Sequence, residues 1–139
     1  MKGPMMRRTF ITGMIAGGLT LAGTAFGGSY LNRAALLVAQ AKREAAYLRK
    51  HASDTEVAHL IHRLCLGRVR AARDMLIPKE VKLAHPHLML MLETYERAAD
   101  AAAKRSGGEF VSFMKKAQDE ELVFRSILEQ LGWPLPDID

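Results

Sequence analysis

Apolar and polar positions follow two different rhythms along this chain. Residues 9–31 are 23 positions without a formal charge, rich in Gly, Ala, Thr and larger apolar side chains. Beyond them, apolar residues recur three and four positions apart, the spacing that gathers them on one face of a helix. The first such stretch covers residues 32–51, with Leu36, Leu37, Ala41, Ala45 and Leu48 aligned. The second opens at Ser53-Asp54-Thr55-Glu56, which reads as a capping box in which Ser53 and Glu56 satisfy free backbone amides. Its stripe is Val57, Leu60, Ile61, Leu64, Ala71 and Met75, and Pro78 is expected to end it. The third starts at His85-Pro86-His87, where proline suits the first helical position, and carries Leu88, Met91, Leu92, Tyr95, Ala99 and Ala102. Ser106-Gly107-Gly108 is expected to break the chain. The fourth stretch carries Phe110, Phe113, Met114, Ala117, Phe124, Ile127, Leu128 and Leu131, with Gly132 as its stop signal and a short extended tail after it.

These patterns predict an all-α protein: a transmembrane anchor over residues 1–31, then an antiparallel four-helix bundle over residues 32–139. Ala, Leu, Met, Glu, Lys and Arg dominate the second part, and all are good helix formers. Residues 27–29, Gly-Gly-Ser, read either as a hinge between anchor and bundle or as a weak turn within one continuous helix.

Two arginines, Arg7 and Arg8, precede the uncharged run, and the apolar pair Phe10-Ile11 follows them directly. This RRxFI run with its Gly/Ala/Thr-rich sequel resembles a bacterial twin-arginine export signal over about residues 5–27. It departs from the usual pattern at Met6, where Ser or Thr is common, and at Thr12, where Lys often stands. The resemblance implies export of an already folded protein, with Arg7, Arg8 and Phe10 read by a receptor. Lys2, Arg7 and Arg8 before the span keep the N-terminus cytoplasmic, which places the helical domain in the periplasm. Gly23-Thr24-Ala25 offers a cleavage site that would release a soluble periplasmic protein. Against cleavage, 23 helical residues reach about 34 Å, enough to span a bilayer core. Gly13 with Gly17, and Gly23 with Gly27, also stand four apart, letting a transmembrane helix of another protein approach closely. A retained single-pass anchor is the favoured reading.

The formal net charge is +5, unevenly divided. Residues 33–82 hold eleven Lys/Arg against five Asp/Glu, and residues 83–139 hold six against ten. Either the two halves attract one another within the bundle, or they face partners of opposite sign. Arg63 and Arg70 share a ridge of the second helix. An export signal and the lack of interleaved aromatic residues exclude nucleic acid as their partner. The run Leu88-Met89-Leu90-Met91-Leu92 is apolar on every side, so Met89 and Met91 are candidates for a partner-binding patch as well as for the core.

Chemistry is sparser. Di-iron bundles use a Glu from each of two helices and a Glu-x-x-His from two more. This chain has one Glu-x-x-His, Glu56 to His59, with Glu93 and Glu121 on later helices and Glu121 on the apolar seam of the fourth, between Ala117 and Phe124, so these four are weak metal candidates only. His59 and His62, with His85 and His87, are a further pairing for zinc. No haem-attachment motif, nucleophile motif or phosphate loop occurs, and no small-molecule substrate is indicated. Cys65 cannot form an internal disulfide and is expected to be buried as a small hydrophobe. The expected function is a non-catalytic, cofactor-free accessory or scaffolding subunit of a bacterial inner-membrane complex. The competing expectations are an iron-, zinc- or haem-binding bundle and a stand-alone periplasmic sensor.

Overall fold

The computed structural model describes the backbone of residues 21–138 and the side chains of residues 29–138. Four α-helices make the fold: α1 (Leu21–Lys50), α2 (Thr55–Arg73), α3 (His85–Ala103) and α4 (Gly107–Gln130), with a single 3₁₀ turn (Lys79–Val81) between α2 and α3. Among the described residues there is no strand, and the helices form a four-helix bundle. None of these helices is long and apolar enough to cross a membrane among the described residues. The targeting residues Arg7, Arg8 and Phe10 and the glycines Gly13 and Gly17 lie outside them. Gly23 and Gly27 fall one turn apart on α1, which runs unbroken through residues 27–29 rather than hinging there. Tyr30 and Leu31, inside the uncharged run, are buried in the bundle core.

α3 is the central helix. Ala98, Ala99, Ala101 and Ala102 are buried and let α2 and α4 approach its backbone closely. Its predicted stripe, Leu88 through Ala102, is buried throughout, as are Phe110, Met114, Ala117, Phe124 and Leu128 of α4. α1 closes the bundle mainly through side chains, with Tyr30, Val38 and Leu48 as its large buried residues and alanines between them.

Local signals differ from expectation at three points. Asp54, not Ser53, caps α2: its side chain accepts from the backbone amides of Glu56 and Val57 at 3.1 and 3.2 Å. A carboxylate one residue nearer the helix is the better acceptor at its positive end. α2 ends at Arg73, five residues before Pro78, which instead starts the 3₁₀ turn. α3 ends at Ala103, four residues before the expected Gly pair, in a turn whose left-handed residue is Arg105, with φ 61°. Ser106 N–H donates to Ala101 and Arg105 N–H to Ala102, a Schellman closure. α4 ends in the same closure, with Trp133 N–H donating to Leu128 and Gly132, at φ 85°, in the left-handed position, as expected. A side chain in this conformation costs about 1–2 kcal/mol, partly offset by its lower chain entropy when unfolded. Arg105→Gly is therefore expected to stabilise the protein by about 0.5–1 kcal/mol, and Gly132→Ala to destabilise it by about 1 kcal/mol. Paired urea denaturation curves check both signs.

Candidate functional site

The second helix carries two apolar stripes. Ala58, Ile61, Cys65, Val69 and Ala72 are buried against the core. The other, Val57, Leu60, Leu64, Gly67 and Ala71, keeps the same three-and-four spacing but is rotated by about 100°, one residue's turn. Here the expected core stripe is corrected: Leu60 is 61 % exposed, Leu64 48 % exposed, and Ala71 also faces outward, while Ala58 and Cys65 take the inner positions. The hydrophobic pattern alone cannot say which of two equal stripes turns inward. Small residues win because α3 lies close. α1 answers with an outward strip of its own, exposed Leu36 and half-buried Leu37, both expected in the core.

Between the two outer strips runs an open groove of about 480 Å³. Leu37, Leu64, Gly67 and Ala71 give it an apolar floor, and Gln40, Arg43, Glu44 and Arg68 add polar atoms. A Cβ added at Gly67 would meet nothing within 4 Å, so the groove widens at that residue.

Arg68 is the unusual member. It occupies an inner position of α2, and its side chain is only 5 % exposed. Its terminal Nη2 forms an ion pair with Glu44 of α1, and Nη1 reaches Cys65 Sγ at 3.6 Å. Its Nε is buried without a hydrogen-bond acceptor. Burial pushes the Cys65 thiol up to about 11, which keeps it protonated and unreactive near neutrality.

A second polar junction joins three helices. Tyr30 hydroxyl donates to His85 Nδ1 at 2.8 Å, and His85 Nε2 reaches the Ala72 carbonyl at 3.1 Å. A carbonyl only accepts, so Nε2 carries the proton and Nδ1 is the free lone pair: the ring is a neutral tautomer fixed at both nitrogens. Burial also lowers the His85 pKa below its ordinary value, opposed by the bond to Ala72. A histidine depressed in the folded state contributes stability that is present above its unfolded pKa, about 6.5, and is lost as pH falls below it. Stability is thus expected to fall with acid below about pH 6.5. His85→Leu should flatten that limb at a lower overall stability, as urea titrations at a series of pH values would show.

The weak metal candidates are not brought together. Glu56 and His59 are exposed near the start of α2, and Glu93 stands 3.9 Å from Arg73. Glu121 lies on the α4 seam as expected, buried, and accepts from Lys42 at 3.1 Å and Arg125 at 2.8 Å. The zinc pairing is likewise dispersed: His62 meets Glu96 at 2.6 Å, His87 meets Glu120 at 3.0 Å, and His85 is held by Tyr30. Among the described residues no group of three or more His, Cys, Asp or Glu is placed to hold a metal ion. Of the Met-rich run, Met91 is fully buried and Met89 half-buried, so any surface patch there is left to Leu90. Arg63 and Arg70 are exposed on one ridge of α2's outer face and are not among the residues that line the groove.

Sequence reading missed Arg68 and Tyr30. Arg68 was legible, since it continues the inner spacing Ala58, Ile61, Cys65; an arginine in a basic cluster simply suggests solvent. No family model, curated protein or solved structure matches this chain.

Proposed function

We propose that this protein is a non-catalytic accessory or scaffolding subunit of a larger bacterial inner-membrane complex. One retained N-terminal helix anchors it, and the bundle stands on the periplasmic side. The observation that carries this reading is the pair of outward apolar strips on α1 and α2, where Leu36, Leu60 and Leu64 are exposed and Leu64 lines the groove between the two helices. A soluble monomer has little reason to keep such a patch uncovered. The anchor assignment rests on the uncharged run. Residues 9–29 remain after Tyr30 and Leu31 are counted into the bundle, and a helix of 21 residues would reach about 32 Å.

Purification of the full chain in mild detergent, with mass spectrometry of the N-terminus and of co-purifying proteins, tests this directly. The expected result is an N-terminus that retains Arg7 and Arg8 together with a stoichiometric integral-membrane partner. An N-terminus at Phe26, a stoichiometric metal or haem, or purification as a lone monomer would overturn it.

A further inference from the structure

We infer that the groove between α1 and α2 seats one amphipathic helix of a different protein, whose apolar edge is flanked by carboxylates. The inference rests on the accessory-subunit reading and names the chemistry of its docking site. Three observations converge on that occupant.

Shape comes first. The floor is apolar and runs along two helices, and Gly67 leaves room where a large side chain of the occupant would settle. Helix-in-groove docking uses this arrangement, with anchors three and four residues apart. A bilayer surface is flat and would call for protruding side chains rather than a recess.

Charge comes second. Arg43 lines the groove on α1, and Arg63 and Arg70 lie on the outer face of α2, on the ridge next to its groove-lining residues; all three are exposed and in no ion pair among the described residues. Such a border favours carboxylates and repels a basic helix. Among the described residues no helix offers a second copy an exposed apolar edge flanked by carboxylates alone. The most exposed apolar positions on α4, Leu122 and Val111, lie among Lys115, Lys116 and Arg125 as well as Asp119 and Glu129.

The third observation is a missing acceptor. Arg68 lines the groove, is nineteen-twentieths buried, and has an Nε with no partner. Glu44 Oε1 of the same pair is likewise buried without a hydrogen-bond partner, so the pair is incompletely satisfied. A carboxylate or carbonyl of the occupant that displaces the groove wall over Nε would complete the guanidinium's donor set.

The test places a photoreactive benzoylphenylalanine at Leu60 of the full-length protein in its source cells and identifies what it captures. Capture of a segment from another protein with helical apolar spacing and flanking Asp or Glu supports the inference. Capture should drop at least ~tenfold in Gly67→Trp, which fills the groove, as loss of a central anchor site does. The exposed pair Arg63→Glu with Arg70→Glu should produce a similar drop without touching the core. Capture of phospholipid only, of a second copy, of a segment without carboxylates, or of nothing overturns it, as does capture undiminished in both variants. If the detergent complex of the previous section survives Gly67→Trp intact, the accessory role stands and this groove is not its interface.

Discussion

Replacing Tyr30 by alanine is expected to cost about 3–5 kcal/mol, as truncation of a fully buried aromatic does. Tyr30 shows no solvent exposure, and it is the largest fully buried side chain α1 supplies. It also stands at 5.7 Å, edge-on, from the His85 ring and provides the only donor for His85 Nδ1 among the described contacts. Tyr30→Phe separates the two roles. It keeps the ring and leaves the imidazole lone pair buried without a donor, at a cost of about 1–2 kcal/mol. Urea unfolding of wild type and both variants decides the matter. A cost below about 1 kcal/mol for the alanine variant would mean that α1 is not held through Tyr30.

The second large effect belongs to the Arg68–Glu44 pair. Glu44→Leu would leave a guanidinium in the interior without its counter-charge, an arrangement that costs about 3–5 kcal/mol. Arg68→Met is the milder loss, about 2 kcal/mol, because Glu44 is a quarter exposed and water partly screens it. Removing both together should bring stability back to within about 1 kcal/mol of wild type, since buried pairs and apolar replacements of similar volume are nearly equivalent. A double-mutant cycle measures the coupling. Simple additivity of the two losses would show that the groups do not sense each other.

Much of the architecture was readable without coordinates. Four helices, the stripe of α3, the inward Glu121, the buried Cys65 and the stop at Gly132 all follow from spacing and from local chain chemistry. What was not readable has one physical origin: propensity and periodicity are local, and the inward direction is not. α2 has two stripes of equal quality, and only the closeness of α3 selects Ala58 and Cys65 over Leu60 and Leu64. The groove exists because of that choice, so the candidate site was hidden by the same ambiguity. Arg105 shows a related limit, since the Schellman bonds place the left-handed residue by counting from the helix end, and the glycines two and three residues later then begin α4 instead. The four dispersed metal candidates show the converse: Glu56, His59, Glu93 and Glu121 share a motif outline while their helical positions send them to different neighbours.

The cations on Glu121 do more than neutralise it. α1 presents a face of alanines to the bundle, at Ala34, Ala41 and Ala45. Small side chains make shallow ridges, and a helix with shallow ridges slides along its axis at little cost in packing. Lys42 removes that freedom. A slip of one turn, about 5.4 Å, would bring Val38 or Ala46 opposite the buried carboxylate. It would also carry Tyr30 away from His85 and Glu44 from Arg68. Three polar contacts spaced along the helix thus act as detents, reinforcing the axial position that the buried Tyr30, Val38 and Leu48 set between stretches of alanine.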